Sequence, residues 1–481
     1  MVAAIRQHWI AAACVLFVAL NALLTARDFP WLAALPAVLL AVWAMVVVPE
    51  RVLYLIAFAT PLSINLEEMD LGGIGVSLPT EPLMLGLTFL MLLRIALQRG
   101  VLSEGFVRHP ITWVVIAQLV WMAVCIIPSS MPVVSVKYLI ARLWFVGSMF
   151  LLASLLFRDA QAMHRFIKFF VAGLVVVVLY TLYQHSLHHF AHDPAHWVMS
   201  PFFKDHTSYG AVLAFVLPFM VAAVAMPGYS RTEKAVAFVL LSVLVVGLIF
   251  SYTRAAWLSL VGAFGLFLVM RFKVPAWVLG LLILTVGIGY YVNKDQITIA
   301  LERNRKESSD DLKEHVQSIS NISSDASNLE RLNRWNSAGR MWQERPLFGW
   351  GPGTYMFQYA PFQASEDRTI ISTNFGSGGN AHSEYLGPLA EQGFIGMGLM
   401  VALVVLTTVR AMRLYHRMPD GADKRVMTAA FLGLVTYYLH GALNNFLDID
   451  KASVPFWAFT TIIVLFDLKY ARAEDAAANP T

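Results

Sequence analysis

Apolar residues run through this chain in blocks long enough to cross a bilayer, and polar residues collect in the connections between them. A crossing helix needs about 17–25 predominantly apolar residues. Such runs lie near 9–25, 30–48, 51–65, 80–98, 110–128, 137–157, 164–185 and 208–226. Six more follow near 233–251, 255–271, 274–292, 384–409, 425–443 and 453–469. The pattern predicts an all-α polytopic membrane protein with about 14 transmembrane helices, or 12–13 if the short third run, which contains Pro61, does not cross. The segment MVAAIRQHW leads into the first run without a small-residue cleavage site, which predicts a retained helix rather than a signal peptide. No internal repeat is visible.

Basic residues in short connections set orientation. The connections holding Arg94, Arg99 and Arg108, then Arg158 and Arg165, Arg231 and Lys234, Arg271 and Lys273, and Arg410 to Arg425 fall on one side of successive spans. That side is read as the cytoplasm. The connection with Glu67, Glu68 and Asp70 falls on the other side, and Arg27 is the one violation. Both termini are then cytoplasmic, and the long connection 293–383 is external. A connection of that length is usually functional. Within it, 297–316 reads as a helix, SISNISSDASN as a flexible connector, and Asn328 as the cap of a second helix ended by Pro346. Leu329, Leu332, Trp335, Ala338 and Trp342 form the apolar stripe of that helix. Four segments follow: 1–200, N-terminal transmembrane helices; 201–292, central helices; 293–383, an external loop domain; and 384–481, C-terminal helices and tail.

Composition agrees with the pattern. Of 481 residues 58% are hydrophobic and only 14% charged, against about 25% charged in a soluble domain. The formal charge of +4 is small and its basic residues are scattered, which gives no reason to expect nucleic-acid binding. Cys14 and Cys125 both lie in apolar runs and imply neither a disulfide framework nor a cysteine metal site.

Candidate chemistry concentrates between Arg331 and Gly393. Arg331 and Arg334 are one helical turn apart, with Arg340 further along. They form either a solvated face or an anion site. Next comes GWGPGTY, whose Gly351 and Gly353 make a plain turn or bring backbone close to a ligand. His382, in NAHSEYL beside Glu384 and Tyr385, stands at the external mouth of a span. It is an interfacial histidine or a general base, the one side chain whose ordinary pKa is near neutrality. Arg254, in FSYTRAAWLSL, is a snorkelling anchor beside Trp257 or a guanidinium holding an anion. Lys204, Asp205 and His206 fall on the same side. His185, His188, His189 and His192 have helical spacing that could share a metal, but an external interfacial loop also tolerates histidine, and no metal is assigned. The spans themselves look nearly free of mid-helix charge.

Four stretches together resemble the O-antigen ligase and polymerase superfamily of bacterial envelope proteins. They are DHTSYGAVLAFVLP (205–218), SYTRAAWLSL (251–260), RLNRWNSAGRMWQERPLFGWGPGTY (331–355) and NAHSEYLGPLAEQGFIG (380–396). The likeness covers roughly 200–440. It implies a GT-C-like glycosyltransferase architecture in the inner membrane, with the site facing the periplasm. It also implies transfer of glycan from an undecaprenyl-diphosphate carrier to an acceptor hydroxyl, with inversion and without metal or other cofactor. By motif, His382 would be the base, and Arg254 and Arg331 (or Arg334) would contact the diphosphate. Arg340, Lys204, Asp205, Tyr385, Gly351 and Gly353 would line the substrate site. The acceptor would be lipid A–core, a second lipid-linked glycan (the polymerase case, towards which the many spans lean), or a protein hydroxyl. Membrane lipid is the remaining partner. From other classes, a lipid-linked glycan flippase or a scaffold fits the composition. Arginines gathered in one external pocket favour the enzyme, and arginines in a central cavity the transporter.

Overall fold

A computed structural model describes residues 2–66, 75–275, 326–368, 372 and 379–478, with isolated positions between 278 and 293. The run 274–292 is largely outside these residues, as is most of the connector SISNISSDASN. The expected helix 297–316 and the acidic Glu67, Glu68 and Asp70 are wholly outside them.

Apolar runs become helices because a backbone in hydrocarbon must satisfy its own hydrogen bonds. Helices α1 (Val2–Thr25) and α2 (Leu35–Val47) fall in one compact unit, Met1–Leu53, and everything from Tyr54 onward in a second. The third run does not make a full crossing. Its helix, α3 (Pro49–Ala59), has 11 residues, about 16 Å at 1.5 Å per residue, against a hydrocarbon core of about 30 Å. A turn at Pro61 leads instead into an antiparallel pair, β1 (Ile64–Asn65) and β2 (Ser77–Leu78), in the register Ile64↔Leu78.

The second unit continues with α4 (Thr80–Leu97), α5 (Pro110–Ile126), α6 (Pro132–Leu156), α7 (Ala160–Ser186) and α8 (His206–Val224). Then come α9 (Arg231–Ile249), α10 (Arg254–Arg271), α11 (Ala326–Glu344), α12 (Leu386–Arg417), α13 (Ala422–His440) and α14 (Asp450–Ala478). Among the described residues eight helices are long and apolar enough to cross a membrane: α4, α6 to α10, α12, and α14 over Asp450–Ala471. The chain is a multi-pass, all-α membrane protein.

Helix α14 is the central post, with 89% of its apolar window buried. Its ends are held by polar contacts. At the start, Asp450 accepts from Ser63 Oγ (2.5 Å), Thr80 Oγ1 (2.6 Å) and Lys451 Nζ (3.2 Å), all buried. Lower down, Asp467 meets His109 Nε2 and Arg410 Nη1, each at 3.1 Å, joining α5 and α12 to the post. Helix α13 packs against α8, α10, α12 and α14, so its C-terminal end is surrounded by the ends of its neighbours.

Helix α12 is two pieces. Gly393, at φ 70° and ψ −170°, breaks it after two turns. The break frees the carbonyls of Ala390, Glu391 and Gln392, and a freed carbonyl in a membrane protein needs a donor. Trp350 N–H supplies the first (3.0 Å), Gly351 N–H the second (2.8 Å) and the Trp121 indole the third (2.9 Å). The turn 349–353 therefore lies directly on the break.

Candidate active site

The ends of α8, α10, α12, α13 and α14 that meet here are the N-termini of four and the C-terminus of α13. Asp205 caps α8, accepting from Ser208 N–H (2.7 Å) and Thr207 Oγ1 (2.5 Å), and such a cap satisfies otherwise orphaned amides. Next to it, Thr253 Oγ1 donates to the His206 carbonyl (2.7 Å). That approach is open because residue 210 is glycine: a Cβ there would sit 2.6 Å from the Thr253 side chain. The contact brings Arg254, part-buried at the head of α10, beside His206 at the head of α8. His206 packs edge-on to His196 at 4.2 Å, and His192 to Tyr252 at 5.0 Å.

Helix α11 enters from the long connection. Over the described residues it runs Ala326–Glu344, so Asn328 lies within it rather than at its cap. Its inward face is not the expected apolar stripe. Glu330, Asn333, Arg334, Ser337, Ala338 and Met341 are buried, and of the stripe only Ala338 is fully so. The polar face can be inward because most of its groups find partners within the protein. Arg334 Nε pairs with Glu330 Oε1 (2.8 Å), and Asn333 Nδ2 donates to Gln363 Oε1 (2.8 Å). Ser372 adds a hydroxyl to Glu330.

Arg331 occupies the middle of the site. Its charge bears on His206, His382 and His440, which come from three different parts of the chain. His382 itself is held at φ 47°, a left-handed conformation uncommon for any residue but glycine. Two bonds hold it there. Its N–H donates to Asn380 Oδ1 (3.1 Å), and its carbonyl accepts from the Trp335 indole (3.3 Å). Burial, then the Arg331 and Arg334 charges, pull its pKa down to about 4, against the opposing influence of the Asn444 side chain, which favours the protonated form. The ring is therefore neutral at neutral pH, with a lone pair to offer.

These residues, from Arg254 through Arg331 to His382, fall in one stretch of sequence with a known counterpart. Residues 236–401 match the O-antigen ligase family. The O-antigen ligase match covers about a third of the chain and contains all three residues. It bears out, over that stretch, the resemblance to the O-antigen ligase and polymerase superfamily, and it supports glycosyltransferase-type activity in glycan assembly. No curated protein matches the chain.

The other expected residues have different work. Arg334 is engaged on every side: by Glu330, by the Asn380 carbonyl (3.1 Å) and by the Tyr359 ring (4.8 Å). Arg340 is tied to Asp367 (2.5 Å) and the Phe362 carbonyl (2.8 Å). The glycine turn lies against protein rather than forming an open cradle. Gly351 N–H donates to the Glu391 carbonyl, and Gly353 N–H to the Glu391 carboxylate (2.9 Å), so neither amide is left for a phosphate. Tyr385 Oη donates to the Tyr438 carbonyl (2.9 Å) and anchors α12 to α13. Glu384 turns away from His382 to accept from Tyr437 Oη (2.5 Å) and the amides of Phe446 and Leu447. Lys204 is exposed, and its charge reaches Asp448. Among the described residues no group of three or more His, Cys, Asp or Glu is arranged to hold a metal ion.

Sequence reasoning missed two things. The first is Asn444, whose Nδ2 lies 3.1 Å from His440 Nε2 and whose side chain bears on His382; the spacing of 440 and 444 was there to be read, but nothing in it points to residue 382. The second is charge inside the helices. Arg142 of α6 and Glu391 of α12, with Asp448, line a cavity of about 150 Å³ behind residues 380–384. The spans are thus not free of interior charge.

Proposed function

We propose that this protein transfers or polymerises glycan from an undecaprenyl-diphosphate carrier onto an acceptor hydroxyl at the periplasmic face of the inner membrane. In this reading Arg254 and Arg331 hold the diphosphate, and His382 is the general base. The observation that carries it is the meeting of one neutral, conformationally constrained histidine with Arg331 and the Arg254 helix end at a single end of the bundle. Guanidinium forks suit diphosphate oxygens and can take the charge that develops as the carrier leaves.

The step balances simply. The acceptor oxygen bonds to the anomeric carbon as the carbon–oxygen bond to the diphosphate breaks, and the hydroxyl proton passes to His382. A single displacement inverts the anomeric centre. Because two guanidiniums meet the diphosphate, no step is routed through a metal. The basic connections at the far end of the helices support a cytoplasmic position for that end.

The test is transfer by purified protein from polyprenyl-diphosphate glycan, offered lipid A–core and a second lipid-linked glycan separately. Product on lipid A–core means a ligase, and ladders on the carrier a polymerase. A protein hydroxyl is tried third. Donor-dependent transfer to none of the three, or normal product from His382→Ala, overturns the reading.

A further inference from the structure

We propose that the interior cavity behind residues 380–384 binds one neutral sugar ring, a hydroxyl of which bridges Arg142 and Glu384. This rests on the proposed function for the source of the ring, a glycan substrate. Four helices build the wall: Gln118 comes from α5, Arg142 from α6, Gln392 from α12 and Trp457 from α14. These side chains are 9%, 8%, 3% and 1% exposed. Among the described residues the side-chain amides of Gln118 and Gln392 nevertheless have no hydrogen-bond partner, and neither has the Trp457 indole N–H. Arg142 donates once, from Nη2 to Tyr138 Oη (2.9 Å), and among the described residues makes no ion pair. Glu384 receives its three bonds on Oε1, so Oε2 is left to accept. Buried hydrogen-bonding groups without partners are costly, and a charge inside a membrane bundle more so. A wall of this kind matches a ligand that both donates and accepts.

Size and charge narrow the ligand. The cavity measures about 150 Å³, and an apolar cavity of about that size holds a six-membered ring such as benzene. Its one guanidinium is outnumbered by the carboxylates of Glu384, Glu391 and Asp448, which would repel a phosphate or a carboxylate ligand. Neither Arg254 nor Arg331 lines it, so it is distinct from the place proposed for the diphosphate. A prenyl or acyl chain would leave the polar wall unmatched. A sugar hydroxyl donates once and accepts through two lone pairs, so it can accept from Arg142 while donating to Glu384 Oε2. Met356 and Asp448 are the exposed members of the wall, and they put its mouth at the end of the bundle reached by the long connection. Asn380, Ala381 and Ser383 line the cavity, so ring and base share one short stretch of chain. The ring can belong to the donor glycan or to the acceptor, and the two are separated by kinetics.

The experiment uses the full chain in nanodiscs, labelled with 5-fluorotryptophan, with the Trp457 resonance assigned by its loss in Trp457→Phe. The probes are the methyl glycosides of glucose, galactose, mannose and N-acetylglucosamine, with inorganic phosphate as the contrast. At least one glycoside should shift the Trp457 resonance saturably, and phosphate should not. Gln118→Leu, similar in size and uncharged, should weaken that binding about 3- to 10-fold, and Arg142→Met by more. Should Arg142→Met fail to fold, Gln118→Leu carries the test alone. In the transfer assay Gln118→Leu should raise the KM of one substrate with kcat within about twofold of wild type. A rise in donor KM assigns the ring to the donor glycan, and a rise in acceptor KM to the acceptor. The inference is overturned if no glycoside shifts Trp457, if phosphate does so in their place, or if Gln118→Leu alters neither binding nor KM. A protein that binds glycosides here yet transfers nothing would sink the proposed function and leave the site standing.

Discussion

Replacing Gly393 by alanine asks whether the break in α12 is required by the fold. Two costs add. The backbone at φ 70° and ψ −170° lies in a region almost reserved for glycine, and holding another residue there costs about 1–3 kcal/mol. A Cβ at this position would also sit 2.1 Å from the Leu347 carbonyl oxygen, 2.4 Å from its carbon and 2.5 Å from the Pro346 oxygen. All three are main-chain atoms and cannot rotate away. The strands of chain must part, loosening the bonds Phe394 N–Pro346 O, Trp350 N–Ala390 O and Gly351 N–Glu391 O, each about 1 kcal/mol. The sum is on the order of 4–6 kcal/mol. Gly398, on the same helix, is the control, since a Cβ there meets nothing within 4 Å. Alanine at 398 should be neutral or better by up to about 1 kcal/mol. Both variants would be melted in detergent and followed by tryptophan fluorescence, since Trp121 and Trp350 both bond to the break. Gly393→Ala should melt on the order of 10 °C lower than wild type. Equal melting of the two variants would refute the account of α12.

Three further outcomes are expected. His382→Asn should reduce transfer by about 10²–10⁴-fold with membrane insertion and protein level unchanged, measured by immunoblot beside the glycan assay. Arg331→Met removes a cation that lowers the His382 pKa, so that pKa should rise from about 4 towards 6.5 and the acid limb of kcat/KM should shift to higher pH; a static or falling limb contradicts the placement of Arg331. Asp450→Asn leaves Lys451 buried without its carboxylate and should cost about 3–5 kcal/mol, read as a lower melting temperature, while Lys424→Ala, on a partly exposed pair, should change little.

Apolar blocks were legible because hydrocarbon demands long, uninterrupted helices, and from α4 onward the described helices other than α11 fall on those blocks. The third run could be set apart as short and containing Pro61, and its helix is 11 residues long, ending before that proline. Arg254 and His382 could be singled out because each interrupts an apolar context. Arg334 and Arg340 could not be told from Arg331 by spacing: what separates them is Glu330 and Asp367, and the second of those lies 27 residues away. The inward face of α11 was misjudged for the same reason, since hydrophobic periodicity cannot foresee a polar face whose partners arrive from other segments. Gly351 and Gly353 could be read as a plain turn or as backbone approaching a ligand; their amides bond to Glu391 of α12, and a Cβ at either would run into Ser129 and Ser135 or Tyr138, surfaces that no local pattern discloses.

One turn of α11 holds the loop that carries His382 at two points. Arg334 grips the carbonyl of Asn380, and Trp335 the carbonyl of His382. Arg331 belongs to the same turn. Under the proposed function, base and anion grip are then mounted on one lever, and an anion that draws on Arg331 would also draw on His382. Affinity for the carrier and readiness of the base must then be adjusted together over evolutionary time, because a change that re-aims one re-aims the other. The same linkage offers a handle to an inhibitor. A molecule wedged under the start of α11 need never reach the histidine to take it out of line.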